Sequence, residues 1–297
     1  MSEHNSINAL QLGGTLFVPA SHKNIDTVLS GKKYPELRSV VVDFEDGLAT
    51  TDRQQALNSL DSILENLQEV KLLRFIRPQN PQMLKEFLQR KNIDKINGFI
   101  LPKFGLENAS DYLNIIENQK SKIKNPKIMP SIEGRELFDI QQLQRLREIL
   151  LPHQEQIVCI RFGAQDMLRQ LGLRQTKSIY NMLAPAQVIA NLITTFKPYG
   201  FDISAPVYPD FSDIEGFQKE IACELQNGLI SKTIIHPSQI KPVNTLYSVT
   251  QQELDEARTI LSQHDGVLNL NGKMGEVRTQ SVWAAEVIER YNTYGIR

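Results

Sequence analysis

The sequence predicts an α/β protein, a single (β/α)8 barrel of the TIM type followed by a C-terminal helical extension. Three observations predict it. Short apolar runs alternate with amphipathic helical stretches along most of the chain. The connections are short, with no linker and no shift in composition. The apolar runs are nearly continuous, as parallel strands covered on both faces require. An open doubly wound sheet is the competing architecture, but the first turn lacks Gly-x-Gly-x-x-Gly and no Walker loop occurs. The barrel is expected over residues 1–245 and the extension over 246–297, packing on the barrel or on a neighbouring subunit.

The elements follow in order. Residues 14–19 read as a first strand and 23–30 as a short helix closed by Gly31. A second strand, 38–44, runs into Asp43-Phe44-Glu45-Asp46-Gly47, and residues 52–67 carry a helical stripe beginning near Asp52. Strands are then expected at 72–77, 96–104, 128–133, 156–162, 201–208 and 232–236, separated by helices at 81–89, 108–118, 135–150, 185–197 and 214–227. The stretch 169–183 reads as a lid-like loop with a short helix. In the extension, helices are expected at 251–264 and 279–291, with Trp283 and Tyr291 as packing residues at helical spacing.

Composition excludes several function classes. Thirty-three basic against 34 acidic residues leave no field to recruit nucleic acid or an anionic membrane. The two cysteines, Cys159 and Cys223, lie far apart and outside any metal-binding spacing, so neither a zinc site nor a disulfide framework is indicated, and Cys159 reads as a core residue. The polar N-terminus and the lack of a long apolar window point to a cytoplasmic protein.

Chemistry is expected where the strands end. Residues at the C-terminal ends of parallel barrel strands meet at one face. Here they are Glu45 and Asp46 after the second strand, Arg77 after the third, Lys103 after the fourth, Glu133 after the fifth and Asp166 after the sixth. A buried, unpaired carboxylate costs on the order of several kcal/mol, so Glu133 demands a partner. Carboxylates without nitrogen or sulfur ligands suit a hard cation that keeps some of its waters, hence Mg²⁺ held by Glu133 and Asp166. Such an ion leaves room for a chelating 2-oxo acid and acts as a Lewis acid on it, while Arg77 takes a carboxylate through its planar fork. The competing structural reading makes an Arg77 bridge to Glu45 or Asp46 a device for closing the barrel. Two further readings are phosphoenolpyruvate-type chemistry, with Arg169, Arg174 and Lys177 around a phosphate, and a silent barrel that serves as an assembly partner. His236, before Pro237, reads as a hydrogen-bonding loop histidine, and no Gly-x-Ser-x-Gly is present.

The same residues resemble the citrate lyase β-subunit-like group of carbon–carbon bond lyases, with the HpcH/HpaI aldolases and malyl-CoA lyases. The resemblance runs in order along Leu16-Phe17-Val18-Pro19, Asp43-Phe44-Glu45-Asp46-Gly47, Ile76-Arg77-Pro78, Leu101-Pro102-Lys103, Ile132-Glu133-Gly134, Gly163-Ala164-Gln165-Asp166 and Ile235-His236-Pro237-Ser238-Gln239. It implies a Mg²⁺-dependent lyase or aldolase acting through an enolate of a small 2-oxo or hydroxy acid or its CoA thioester. Glu133 and Asp166 are then the metal ligands, Arg77, Lys103 and Gly134 the substrate-binding residues, and Glu45 and Asp46 order Arg77 and water. It also implies a homo-oligomer, a trimer or hexamer, in which Glu276 of Gly272-Lys273-Met274-Gly275-Glu276 reaches a neighbour's site. Gly13 and Gly14 stand where the family has an Arg, Gln165 where it has a Glu, and Glu276 where it has an Asp.

Overall fold

The computed structural model describes residues 7–45, 48–118, 123, 126–270 and 272–297. The chain divides into two units, Met1–Ile240 and Lys241–Arg297. Among its described residues the first contains seven parallel strands: β1 (Thr15–Pro19), β2 (Ser39–Asp43), β3 (Leu73–Arg77), β4 (Gly98–Leu101), β5 (Lys127–Ile132), β6 (Arg161–Phe162) and β7 (Thr233–Ile234). Their order is β6-β5-β4-β3-β2-β1-β7. Single parallel bridges, Ile160 to Ile203 and Ser204 to Ile230, close the ring between β6 and β7. Eight staves result, as expected, but the seventh is reduced to Ile203 and Ser204. Pro206 has no N–H to give a ladder, so the stave expected over 201–208 stops early.

Side-chain alternation decides what fills the barrel. Phe17, Val41, Phe75, Ile100 and Met129 form one apolar cluster with Cys159 and Ile230. A short helix before β1, Ala9–Leu12, adds Ala9, Leu10 and Leu12 to this cluster, and an Asn8–Gln11 capping box holds its start. Along each strand, residues two apart share a face, so the same alternation carries Asp43 and Arg77 inward at the C-terminal ends. Arg161 also points in. Its guanidinium donates to Thr233 Oγ1 at 3.0 Å and Thr15 Oγ1 at 2.9 Å, and lies 5.4 Å over the Phe17 ring.

The helices depart from expectation where local capping intervenes. The span 135–150 divides into a 3-10 turn, Arg135–Phe138, and a helix, Ile140–Leu150, because the Asp139 side chain accepts the N–H groups of Gln141 and Gln142 and starts the helix afresh. The stretch 169–183 is more ordered than a loop. Arg169 lies in the helix Ala164–Leu171, which Gly172 ends at φ +68, and the helix Leu183–Phe196 begins where the stretch ends. Between them, Ile179 N–H donates to Glu220 and the Tyr180 hydroxyl to Glu224. Both carboxylates also meet Lys232, at 2.9 and 2.5 Å, in a cluster whose Lys and Glu side chains are fully buried.

The second unit has its own core. Leu254, Ala257 and Ile260 of the helix Gln251–Leu261 pack with Ala284 and Val287 of the helix Val277–Tyr294. Between these helices runs an antiparallel hairpin, β8 (Val267–Leu270) and β9 (Lys273–Glu276), where no strand was expected. Trp283 does not pack as its spacing suggested: it is 40% exposed, because Ala284 and Val287 take the buried stripe. Among the described residues no helix is long and apolar enough to cross a membrane.

Burial raises the Glu224 pKa from 4.5 to about 8, against the opposing pull of Lys232. The folded chain therefore holds a proton that the unfolded chain gives up. This contribution to stability is complete below pH 4.5 and is lost as pH rises to about 8. Urea unfolding of the wild type should show stability falling between pH 5 and pH 8.5, and Glu224→Gln should flatten that slope; an unchanged slope would contradict the assignment.

Candidate active site

The C-terminal ends of β2, β3 and β4 are joined by a chain of alternating charges. Asp43 and Arg77 are register partners on adjacent strands. Arg77 Nε donates to Asp43 Oδ1 at 2.7 Å and Nη2 to Oδ2 at 2.6 Å, a bidentate pair. Its Nη1 lies 2.8 Å from Glu45 Oε2, and Lys103 Nζ lies 2.7 Å from Glu45 Oε1. Burial works against the charge on Arg77, but the hydrogen bonds and attraction of Asp43, with Glu45 and Glu133, outweigh it and raise its pKa. The ion pair that the structural reading anticipated, Arg77 with Glu45, is thus present. Arg77 also rests 5.3 Å from the Phe17 ring.

Glu133 lies outside this chain. It follows β5, is only 5% exposed, and its Oε2 has no hydrogen-bond partner. Among the described residues no cation makes an ion pair with it. Burial pushes its pKa up to about 7; a Ser131 hydrogen bond opposes this, Glu45 and Asp166 add repulsion, and Arg77 pulls it down. Asp166 is brought close by Gly163: a Cβ on that glycine would stand 2.7 Å from Glu133 Cγ and 3.2 Å from Asp166 Oδ2. Only glycine lets the two carboxylates share the space. Asp166, expected after the sixth strand, lies in the first turn of the helix Ala164–Leu171, because β6 stops at Phe162 and Gly163 turns the chain. The Gln170 amide ties the two segments, donating to the main-chain oxygens of Glu133 at 2.8 Å and Asp166 at 3.2 Å.

Asp166 pairs with Arg169 at 2.8 Å, but the Arg169 side chain is 72% exposed and the pair is accordingly weak. A buried carboxylate with an unpartnered oxygen beside a second carboxylate fits a divalent cation. Among the described residues no group of three or more His, Cys, Asp or Glu is placed to hold a metal. A two-carboxylate site that leaves the remaining positions to water and ligand oxygens matches Mg²⁺ rather than Zn²⁺.

The remaining expected residues are placed as follows. Lys103 adopts φ +49 at the end of β4. The space over the Gly134 α-carbon is taken by the Glu136 carboxylate, which also accepts Leu106 N–H at 3.1 Å. Asp46 lies outside the described residues. Glu276 belongs to the second unit, where its N–H donates to Gln280 Oε1 at the start of the last helix. His236 hydrogen-bonds Ser238 and stacks on Phe211 at 4.5 Å, the loop role expected of it. Asp43, Ser131, Gly163 and Gln170 were not singled out from the sequence. Asp43 was accessible by alternation, as the last residue of β2, two before Glu45.

Comparison with known proteins fits this geometry. The family model described as C–C bond lyase of the TIM-barrel fold matches residues 6–296. The chain belongs to this family. It is a carbon–carbon lyase. The lyase is 24% identical over 278 residues to citrate lyase subunit beta of Haemophilus influenzae, covering 87% of this chain and 90% of that one. It is 23% identical over 283 residues to the L-malyl-CoA/beta-methylmalyl-CoA lyase of Cereibacter sphaeroides, covering 84% and 85%. Its fold matches that of CitE from Mycobacterium tuberculosis, solved with magnesium, acetoacetate and coenzyme A, at a TM-score of 0.67, with 20% identity and coverage of 94% and 98%.

In the metal-free lyase, Glu133 should titrate near pH 7 by side-chain carbon-13 NMR. Asp166→Asn removes a negative neighbour and should lower that value. Titration near pH 4.5 in the wild type would contradict the burial argument.

Proposed function

We propose that this lyase is Mg²⁺-dependent and cleaves, or in reverse forms, a carbon–carbon bond next to a carbonyl in a small 2-oxo or hydroxy acid or its CoA thioester. One observation carries the reading: Glu133, buried with an unpartnered oxygen, sits beside Asp166 while the neighbouring Glu45 faces Arg77 and Lys103. Glu133 and Asp166 hold the ion. When bound, Mg²⁺ supplies Lewis acidity that stabilises negative charge developing on the substrate carbonyl oxygen.

The protein's own residues do the rest. Arg77 offers N–H groups to a substrate oxygen, and Lys103 adds a second positive charge at the mouth. Glu45 keeps both cations in place, and Asp46, the next residue in sequence, shares the task of ordering water. Gly134 offers main-chain polar groups next to Glu133. The citrate lyase and malyl-CoA lyase relatives, and the acetoacetate and coenzyme A bound by the M. tuberculosis protein, support this substrate class. The lyase acts in the cytoplasm as a homo-oligomer, a trimer or hexamer, with Glu276 of one copy completing a neighbour's site. Exposed apolar side chains in the second unit, among them Met274 and Val282, support a covering subunit.

Calorimetric titration with Mg²⁺ tests the reading. The wild type should bind, and Glu133→Gln and Asp166→Asn should each weaken binding by at least about 100-fold while the circular dichroism spectrum is kept. Wild-type affinity with either carboxylate missing would sink it.

A further inference from the structure

We propose that Asp43 is a positioning residue that decides which edge of Arg77 meets the substrate; this rests on the lyase chemistry above. Asp43 is 5% exposed, and its carboxylate is already engaged. It accepts Arg77 Nε and Nη2, and Oδ1 also accepts the Glu45 N–H at 3.0 Å. It is therefore not available to bind substrate or metal and acts through Arg77.

The consequence for recognition is specific. A guanidinium can grip a carboxylate side-on through Nε and one terminal nitrogen, or end-on through both terminal nitrogens. Asp43 takes the side-on edge. Nη1 lies 2.8 Å from Glu45 Oε2 and Nη2 2.6 Å from Asp43 Oδ2, so what a ligand meets is the second hydrogen that each terminal nitrogen carries. Phe17 supports the guanidinium at 5.3 Å, and the strand register sets Asp43 opposite Arg77, so the orientation is fixed by the barrel rather than by a ligand. Arg77 is also attracted by Glu133, so the guanidinium and the carboxylate pair act at one site. The site thus takes a substrate oxygen end-on, without refolding the Arg77 side chain.

Two measurements test the proposal on the full chain. In nitrogen-15 NMR, the Arg77 Nε–H, assigned through its loss in Arg77→Lys, should be exchange-protected in the wild type and lose protection in Asp43→Asn. At saturating Mg²⁺, calorimetry with pyruvate as probe should show affinity reduced about 10-fold or more by Asp43→Asn and similarly by Arg77→Lys. The double variant should lose no more than either single one, because both remove the same interaction. Mg²⁺ affinity should change less than about threefold in Asp43→Asn. Wild-type pyruvate affinity in Asp43→Asn, or additive losses, would overturn the proposal. If Asp43→Asn does not fold, a rapidly exchanging Arg77 Nε–H in the wild type would overturn it alone. A wild type that binds no Mg²⁺ would remove the lyase reading and this inference together, a result distinct from either failure above.

Discussion

The bidentate contact between Asp43 and Arg77 is the interaction on which the mouth of the barrel depends. Carboxylates crowd the C-terminal strand ends, and buried anions are tolerated only when each finds a cation or loses its charge. Asp43 and Glu45 share Arg77, and Glu45 also takes Lys103. That chain is neutral within itself. What it leaves over is Glu133, whose pKa rises to about 7 because burial and its anionic neighbours act together. The site is an imbalance of charge placed where only a cation or a proton can correct it.

The barrel produces this imbalance through geometry that is set far from the mouth. Parallel register puts Asp43 opposite Arg77, and alternation puts Phe17, Val41 and Phe75 beneath them as a rigid apolar floor. Gly163 then removes one side chain at the place where Glu133 and Asp166 converge. A substitution there meets carbon at 2.7 Å, too close for a real Cβ, so the residue is constrained by approach and not by backbone conformation. The strand ends gather the charged residues of the mouth, while the interior is filled by the apolar cluster and, apart from it, by the buried Lys232–Glu220–Glu224 group.

Much of this was legible in the sequence because strand ends and strand order suffice to collect charges on one face. Glu45, Arg77, Lys103, Glu133 and Asp166 all come from that rule. It overlooked Asp43, which lies inside the strand, and Gly163, whose role exists only once two segments meet. It ended the sixth strand correctly at Phe162 but began it at 156, because an apolar run does not reveal where pairing starts; the ladder of β6 holds only Arg161 and Phe162. The helix over 135–150 read as continuous because its apolar period is unbroken, yet Asp139 offers the backbone a better bond and resets it. Trp283 shows the same limit: spacing identifies a face but not which face is covered.

In the proposed reading, Glu133 and Asp166 form the cation site that the Asp43–Arg77–Glu45–Lys103 chain leaves open. Crystals of the lyase soaked with Mn²⁺, used as an anomalous scatterer in place of Mg²⁺, test this most directly. One anomalous peak is expected within coordination distance of both carboxylates, with Arg77 still held side-on by Asp43. A peak elsewhere, or Glu133 turned onto Arg77 with no ion beside it, would contradict it.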